Sequence, residues 1–308
     1  MTFVAELSHN ALLAISGDDA ATFLQGQLTN DVEALRDGTA QWNGYCSPKG
    51  RLLATFLLVR HGKRFLAMMP TEIAAPTAKR LGMFVLRSKV KIEDVTASTS
   101  RLGLVGPEAA TLVAKHWGAA PQPMAVAERD GALCARLDAD RFVLLAPNDQ
   151  AETIRAALEP VAIGDTTTWD RAAIQAGIPI VVAATQDAFV PQMANFELIG
   201  GVSFKKGCYT GQEIVARTQY RGILKKRMAL VHVDGQDAPQ AGDSVYSSAF
   251  GEQSSGQIAN VAPSPGGGFD ALVVAQLEAL AKNDLRWKSP DGVAVQLRQL
   301  PYPVPGSQ

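Results

Sequence analysis

The chain has 308 residues, 47% of them hydrophobic, with 29 Lys and Arg against 30 Asp and Glu. This length allows two or three domains of ordinary size, each with its own core. A formal net charge of −1 gives the whole surface no attraction to nucleic acid or an anionic membrane, so RNA contact would need a local basic patch. No apolar run reaches the ~18 residues of a membrane span, which predicts no membrane partner.

Three widely spaced cysteines, Cys46, Cys134 and Cys208, form no CxxC pair. A structural zinc or iron–sulfur site usually needs four ligands at recognisable spacing, which this chain alone does not offer. An odd cysteine count suits a reducing compartment, and the first residues lack the basic start and apolar run of a signal peptide. We therefore predict a cytoplasmic protein.

The sequence patterns of the first hundred residues indicate short helices and an antiparallel β-meander. Their patterns predict a helix at 20–28, strands at 41–46, 51–60 and 63–69, a helix at 77–86 and a strand at 90–95. Residues 47–50 fit a type I turn, with Pro48 second and Gly50 fourth. The helix at 77–86 should turn Leu81, Phe84 and Val85 toward the core.

The following segment reads as a small α+β unit. It contains a strand at 102–105, a helix at 106–117, strands at 132–137 and 141–146, and a helix at 149–158. This β-α-β-β-α order is compatible with a ferredoxin-like unit. A further helix is expected at 168–175, ending before Gly177 and Pro179.

From Leu224 onward, short strands alternate with turns over about 80 residues, which predicts a small antiparallel β-barrel. The expected strands are at 228–233, 244–246, 257–261 and 292–297, while 271–282 fits a strand or a helix and 301–305 a loose tail. The predicted domains are an N-terminal region of 1–99 plus 160–223, an inserted unit at 100–159 and a barrel at 224–308.

Residues 203–217 are the stretch with the clearest functional signal. Gly207 and Gly211 flank Cys208 and permit the backbone geometry of a tight loop. From Gln212 to Gln219 there is no Gly or Pro, which favours a helix. Cys208 should therefore lie near a helix N-terminus.

That helix end and two neighbouring lysines, Lys205 and Lys206, would stabilise a thiolate at Cys208. A free cysteine is more often a small buried hydrophobe than a reactive group. The polar neighbours make poor core material, so we favour an exposed, functional thiol.

The run Lys206-Gly207-Cys208-Tyr209-Thr210-Gly211-Gln212-Glu213 resembles the signature of the YgfZ-type folate-binding proteins of iron–sulfur cluster assembly and repair. Residues 189–192 and 200–205 also resemble that family. Residues 27–32, 45–53 and 173–179 are similar to the wider superfamily of folate-dependent aminomethyltransferases. The resemblance implies an α+β, GcvT-like ring of three subdomains around a central hole that binds tetrahydrofolate or another folate form.

The resemblance also implies roles for particular residues. Cys208 would be the working residue, as a transient ligand of iron or of an iron–sulfur cluster, or in a mixed disulfide. It would be supported by Lys206, Gly207, Tyr209, Gly211, Gln212, Glu213 and Arg217. The candidate folate contacts are Asn30, Lys49, Gln175, Gln192 and Arg221. The implied partners are iron–sulfur assembly and client proteins, including radical enzymes that modify tRNA.

Two departures from the superfamily pattern argue against aminomethyl transfer. Ala54 and Thr55 stand where aminomethyltransferases carry an acidic pair, and Gln175 stands where they carry a glutamate. Aminomethyl transfer needs a carboxylate to handle a proton, which alanine and threonine cannot supply. Gln175 can still hydrogen-bond a neutral pterin edge. A one-carbon transferase that uses a different acid or base is therefore a second hypothesis.

A basic run surrounds the motif. Its members beyond the two lysines are Arg217, Arg221, Lys225, Lys226 and Arg227. The run fits two interpretations equally well. It is either a solvated face or a surface that holds a folate glutamate tail, a partner protein or RNA. Direct RNA binding is the third hypothesis, and the near-neutral net charge makes it the weakest.

Overall fold

The computed structural model describes residues 1–159, 161–220, 222 and 224–305. The backbone divides into two compact units, one of Met1–Asn43 with Phe56–Trp169 and one of Gly44–Thr55 with Asp170–Gln308. In the described stretches, no helix has the length and apolar character needed to cross a bilayer.

The strands are β1 (Phe3–Glu6), β2 (Asn10–Ser16), β3 (Thr39–Cys46), β4 (Leu52–His61), β5 (Arg64–Pro70), β6 (Lys91–Asp94), β7 (Thr99–Val105), β8 (Val126–Arg129), β9 (Ala132–Arg136), β10 (Arg141–Pro147), β11 (Ala162–Gly164), β12 (Lys226–Val233), β13 (Ser244–Tyr246), β14 (Gly256–Pro263), β15 (Phe269–Gln276), β16 (Arg286–Trp287) and β17 (Val293–Arg298). The α-helices are α1 (Ala20–Gln25), α2 (Thr71–Gly82), α3 (Ala109–Trp117), α4 (Ala151–Ala157), α5 (Thr166–Gln175), α6 (Gln212–Tyr220) and α7 (Leu277–Lys282).

A five-stranded sheet has the order β3-β4-β5-β2-β6, and its strands β5, β2 and β6 belong wholly to the first unit. Strand β2 pairs antiparallel with both β5 and β6. Apolar side chains cover both faces of β2, and Leu12, Leu13 and Ile15 are all buried. The predicted meander is therefore confirmed.

Helix α2 lies about one and a half turns earlier than predicted. It begins at Thr71 and runs through Pro76, a residue that sequence patterns favour at the first turn of a helix. The chain then takes a left-handed conformation at Leu86, where φ is 47°, so the helix cannot continue there. Leu81 is buried as predicted, but Phe84 is exposed, so its predicted inward orientation is wrong.

The second sheet of this unit has the order β11-β1-β7-β10-β9-β8. Its strands β7, β9, β10 and β11, with α3 and α4, follow the ferredoxin-like β-α-β-β-α-β sequence. The N-terminal strand β1 lies between β7 and β11, antiparallel to the first and parallel to the second. Its core includes Leu104, Phe142 and Leu144, which alternate inward along neighbouring strands.

The second unit contains the predicted barrel, closed in the order β12-β15-β14-β13-β16-β17. Its interior is filled by small branched side chains such as Val231, Val273 and Val245. The ambiguous segment 271–282 divides between strand β15 and helix α7. The predicted loose tail is wrong at Tyr302, whose hydroxyl donates a hydrogen bond to the Gly177 carbonyl at 2.7 Å.

Candidate functional site

Cys208 is an exposed residue of residues 206–211, a segment that we call the cysteine loop. The loop leads directly into α6, and the Tyr209 carbonyl accepts a hydrogen bond from the Gln212 amide at 3.1 Å. Cys208 is exposed, whereas Cys46 and Cys134 are buried. Burial raises the pKa of Cys46 to about 12, with a further contribution from the Asp187 charge, and burial raises the pKa of Cys134 to about 12. Those two thiols are therefore protonated at neutral pH, and Cys208 is the accessible one.

The cysteine loop packs backbone to backbone on residues 47–50, which we call the Pro48 turn. A Cβ atom placed on Gly211 would lie 2.4 Å from the Ser47 carbonyl oxygen and 2.8 Å from Gly50 Cα. Gly211 also has φ +81°, in the left-handed region that favours glycine. Only a residue without a side chain fits this position, which explains the second glycine of the motif.

Tyr209, the residue after Cys208, is a second buried anchor of the cysteine loop. It is 8% exposed, and the Lys206 ammonium lies over its ring, 4.9 Å from the centroid. Burial raises the pKa of Tyr209 above its ordinary value, and the neighbouring Cys46 adds to the rise. Lys206 is itself buried, so its charge is directed to the tyrosine ring, while Lys205 stays exposed.

The Pro48 turn is held by a segment that the sequence did not single out. The Ser47 hydroxyl donates to Asp187 Oδ1 at 2.7 Å, and the Leu52 amide donates to the Phe189 carbonyl at 2.8 Å. Asp187 itself has φ 57°, a conformation that Asp tolerates better than most residues. Hydrogen bonds to Asp187 and Phe189 therefore anchor both sides of the Pro48 turn, independently of its contact with the cysteine loop.

Gln192 supports the helix that follows the cysteine. It is 1% exposed, and its Nε2 donates to the Val215 carbonyl of α6 at 2.8 Å. Its Oε1 is buried, and no hydrogen-bond partner is present for it among the described residues. The sequence predicts Gln192 as a folate contact. In the structure, its hydrogen bond to the Val215 carbonyl anchors α6.

Arg227 belongs to a buried polar network rather than to a solvated basic face. Its Nη1 donates to the Gln192 carbonyl at 2.9 Å and forms an ion pair with Glu197 at 2.5 Å. The side chains are 11% and 8% exposed. Burial raises the pKa of Glu197, an effect that the Arg227 charge opposes. The interpretation of the basic run as a solvated face is therefore wrong at Arg227, and Glu197 carried no sequence signal that would have revealed its partner.

Thr55 is buried, and its hydroxyl group both donates and accepts a hydrogen bond. Its hydroxyl donates to the Pro179 carbonyl at 3.1 Å and accepts from the Val181 amide at 2.9 Å. Ala54 beside it is also buried. The pair that replaces the acidic residues of aminomethyltransferases therefore ties β4 to the segment after α5 and supplies no carboxylate.

The remaining predicted folate contacts lie in different surroundings. Lys49 is exposed in the Pro48 turn, and Gln175 is exposed at the end of α5, where its Nε2 lies 3.4 Å from Asp270 Oδ2. Asn30 belongs to the first unit, donates to the Trp42 carbonyl at 2.9 Å and lines an open cavity of about 420 Å³. Arg221 lies outside the described residues.

The other residues predicted to support the motif lie on α6 or in the loop before it. Gly207 and Glu213 are exposed, Gln212 is half-buried as the first residue of α6, and Arg217 is exposed in its last turn. Glu213 lies in the first helical turn, where a negative charge stabilises the helix dipole. Across the part of the chain that the structure describes, no three His, Cys, Asp or Glu side chains group closely enough to hold a metal ion.

Residues 2–128 match the family model described as the GCVT N-terminal domain. Relatives named tRNA-modifying protein YgfZ include those of Photobacterium profundum, 36% identical over 76% of this chain and 71% of that one, and Pectobacterium carotovorum, 30% identical over 96% and 90%. The one from Escherichia coli O157:H7 is 32% identical over 76% of this chain and 72% of its own.

A solved structure of similar fold is glycine cleavage system aminomethyltransferase T from Bartonella henselae. It superposes with a TM-score of 0.79 over 97% of this chain and 86% of that one, at 17% identity. That likeness confirms the predicted GcvT-like α+β fold.

Proposed function

The chain belongs to the family of the tRNA-modifying protein YgfZ, and from this premise we propose that it binds a folate and assists the assembly or repair of iron–sulfur clusters. Its clients would be iron–sulfur enzymes, including those that modify tRNA. Cys208 would be the functional thiol. The observation that carries the proposal is the exposure of Cys208, alone among the three cysteines, on a loop whose Gly211 packs against Gly50 of the Pro48 turn.

A thiol in this setting can serve as one ligand of an iron or of a cluster in transit. The surrounding residues are tied together, because Tyr209 is buried under Lys206 and Gln192 donates a hydrogen bond to α6. The described residues supply no further ligands in a group. We propose that the remaining ligands come from the client or from an assembly protein, which lets the cluster leave again.

For folate, we propose that the charged glutamate tail meets basic side chains and that amide groups meet the pterin edge. Lys49 offers an exposed ammonium group beside the cysteine loop, and Gln175 offers an exposed amide. Asn30 borders a cavity in the first unit. These donors and acceptors match the chemistry of a neutral pterin and an anionic tail.

The one-carbon transferase hypothesis is not supported by the positions of Ala54 and Thr55. Both are buried, and the Thr55 hydroxyl is occupied by two backbone groups. A catalytic carboxylate would have to come from elsewhere in the chain. We therefore do not propose aminomethyl transfer.

The central test is complementation of a deletion strain that lacks the endogenous relative. Cys208→Ser should fail to restore iron–sulfur enzyme activity and the dependent tRNA modifications. Cys134→Ala, which changes a buried thiol, should restore both. Full restoration by Cys208→Ser would exclude Cys208 as the working residue.

Folate binding is tested separately by calorimetric titration of tetrahydrofolate. Wild type should bind, and a variant with Lys49 and Arg221 replaced by alanine should bind more weakly. A variant with Lys63 and Arg64 replaced by alanine removes the same charge from the exposed β4–β5 turn and should bind like wild type. If the folded wild-type protein bound no tetrahydrofolate, the chain would have the fold of the family but would not bind folate.

A further inference from the structure

The second unit contains a cavity that neither the cysteine loop nor the Pro48 turn lines. It has a volume of about 820 Å³ and is bounded by β12, α7, the end of β17 and residues 299–304. Sites for small organic ligands usually measure ~300–1,000 Å³. The cavity is therefore large enough for a small molecule.

The walls of this cavity are apolar and incompletely covered. Leu277 and Leu280 come from α7, Leu297 from β17 and Leu300 from the segment that follows. None of these four leucines is fully buried. These half-buried leucines form an apolar wall that the body of a ligand can cover.

Two arginines line the cavity: Arg227, whose charge is paired with Glu197, and Arg298, which is exposed. Among the described residues, no Asp or Glu lines it. Arg227 is oriented through Nη1 by Glu197 and by the Gln192 carbonyl. Among the described residues, the hydrogen bonds of Arg227 all run through Nη1, and a guanidinium group pairs with a carboxylate through two N–H groups.

The segment after β17 is held in place before any ligand arrives. Tyr302 donates its hydroxyl to the Gly177 carbonyl at 2.7 Å. A Cβ atom on Gly177 would lie 2.7 Å from the Tyr302 ring and 2.8 Å from Leu300, so the glycine makes room for both side chains. The cavity is thus preformed, which reduces the entropy cost of binding.

We propose that this cavity binds a small anion with an apolar body, such as a medium-chain carboxylate. Its carboxylate would pair with the guanidinium groups of Arg227 and Arg298, and its chain would cover the leucines. This site is separate from the role of Cys208, and its failure would leave that role unchanged.

The test uses the full chain, one fluorescent probe and two competitors. Titration with 8-anilinonaphthalene-1-sulfonate should give saturable fluorescence that decanoate displaces at about tenfold lower concentration than decanol, because only decanoate carries the charge. Ala281→Phe fills the cavity from the exposed side of α7 and should weaken binding about tenfold. Lys282→Phe adds the same ring outside the cavity lining and should stay within about twofold of wild type.

Arg298→Gln provides the charge control. It should weaken decanoate binding about threefold and leave decanol unchanged, since it removes only one of two cations. Probe binding that Ala281→Phe leaves intact would overturn the proposal and point instead to exposed apolar residues such as Phe84 and Leu86. Equal displacement by decanoate and decanol would overturn the anionic part.

Discussion

Gly50 and Gly211 meet where the Pro48 turn and the cysteine loop touch. A Cβ atom on Gly50 would lie 3.0 Å from the Gly211 carbonyl oxygen, and one on Gly211 would lie 2.8 Å from Gly50 Cα. Both residues have positive φ, +67° and +81°. Two glycines far apart in sequence thus form one contact that positions Cys208.

This contact makes Gly211→Ala strongly destabilising. The added methyl group would meet the Ser47 carbonyl at 2.4 Å in a backbone conformation that alanine avoids, so we expect a loss of at least about 2 kcal/mol in the free energy of unfolding. Urea unfolding measures it.

Gly207→Ala is the matched control in the same loop. A Cβ atom there meets nothing within 4 Å, so the change should stay within about 0.5 kcal/mol. Equal effects of the two substitutions would contradict the close approach at Gly211.

The three cysteines should differ sharply in reactivity. With pKa values of about 12, Cys46 and Cys134 carry about one part in 10⁴ thiolate at pH 8, and both are buried. An aromatic disulfide reagent should therefore modify one thiol rapidly in the native protein and three after denaturation. Cys208→Ser should abolish the rapid phase. Rapid modification of a second thiol would show that the core opens readily.

Stability should fall in alkaline solution. The pKa of Cys46 is raised from 9.0 to about 12 in the folded protein, so its contribution is fully present below pH 9 and is lost as the pH rises from 9 to 12. Each thiol whose pKa is raised makes the free energy of unfolding fall more steeply with pH, by up to about 1.4 kcal/mol per pH unit. Urea unfolding at pH 8, 9 and 10 should give a shallower decline for Cys46→Ala. An unchanged slope would show that this thiol does not contribute.

Arg227→Met should destabilise the second unit in a pH-dependent way. It leaves Glu197 buried without its cation, at a cost of about 3 kcal/mol at pH 7. Because burial raises the pKa of Glu197 in the folded state, the penalty is smallest below the ordinary value of 4.5 and grows as the pH rises. Unfolding curves at pH 4.5 and 7 measure the difference.

Arg155→Met is the control for that substitution. Its partners Glu6 and Glu152 are largely exposed, so its cost should stay below about 1 kcal/mol at both values of pH. A similar cost for the two arginines would argue that the Glu197 pair is solvated.

Thr55→Val should cost about 2 kcal/mol, because it leaves the Pro179 carbonyl and the Val181 amide without their shared partner. Thr218→Val removes a hydrogen bond on the exposed side of α6, and we expect a change within about 0.5 kcal/mol. Thermal unfolding compares the two. A neutral Thr55→Val would mean that the backbone groups find other partners.

The sequence predicted what depends on local pattern. The meander, four of the six barrel strands (β12, β13, β14 and β17), α6 and the exposure of Cys208 follow from periodicity, turn residues and polar neighbours over short stretches. The loop signature was recognisable because its glycines and cysteine are consecutive.

What the sequence did not predict depends on contacts between distant residues. Nothing near Asp187 indicates that it would bind Ser47, and nothing near Glu197 indicates Arg227. The prolines of residues 301–305 predict a free end, whereas the Tyr302 hydroxyl donates a hydrogen bond to the distant Gly177 carbonyl. Helix α2 was misplaced because Pro76 lies inside it.

The division of the chain between its two units has a consequence for synthesis. Gly44–Thr55 belongs to the second unit, although the chain returns to the first unit until Trp169. Ser47, Leu52 and Thr55 leave the ribosome long before Asp187, Phe189 and Pro179, the residues that complete their hydrogen bonds. Neither unit is one continuous stretch, so a cleavage between residues 169 and 170 would leave the Pro48 turn and the cysteine loop on different fragments, joined only by noncovalent contacts.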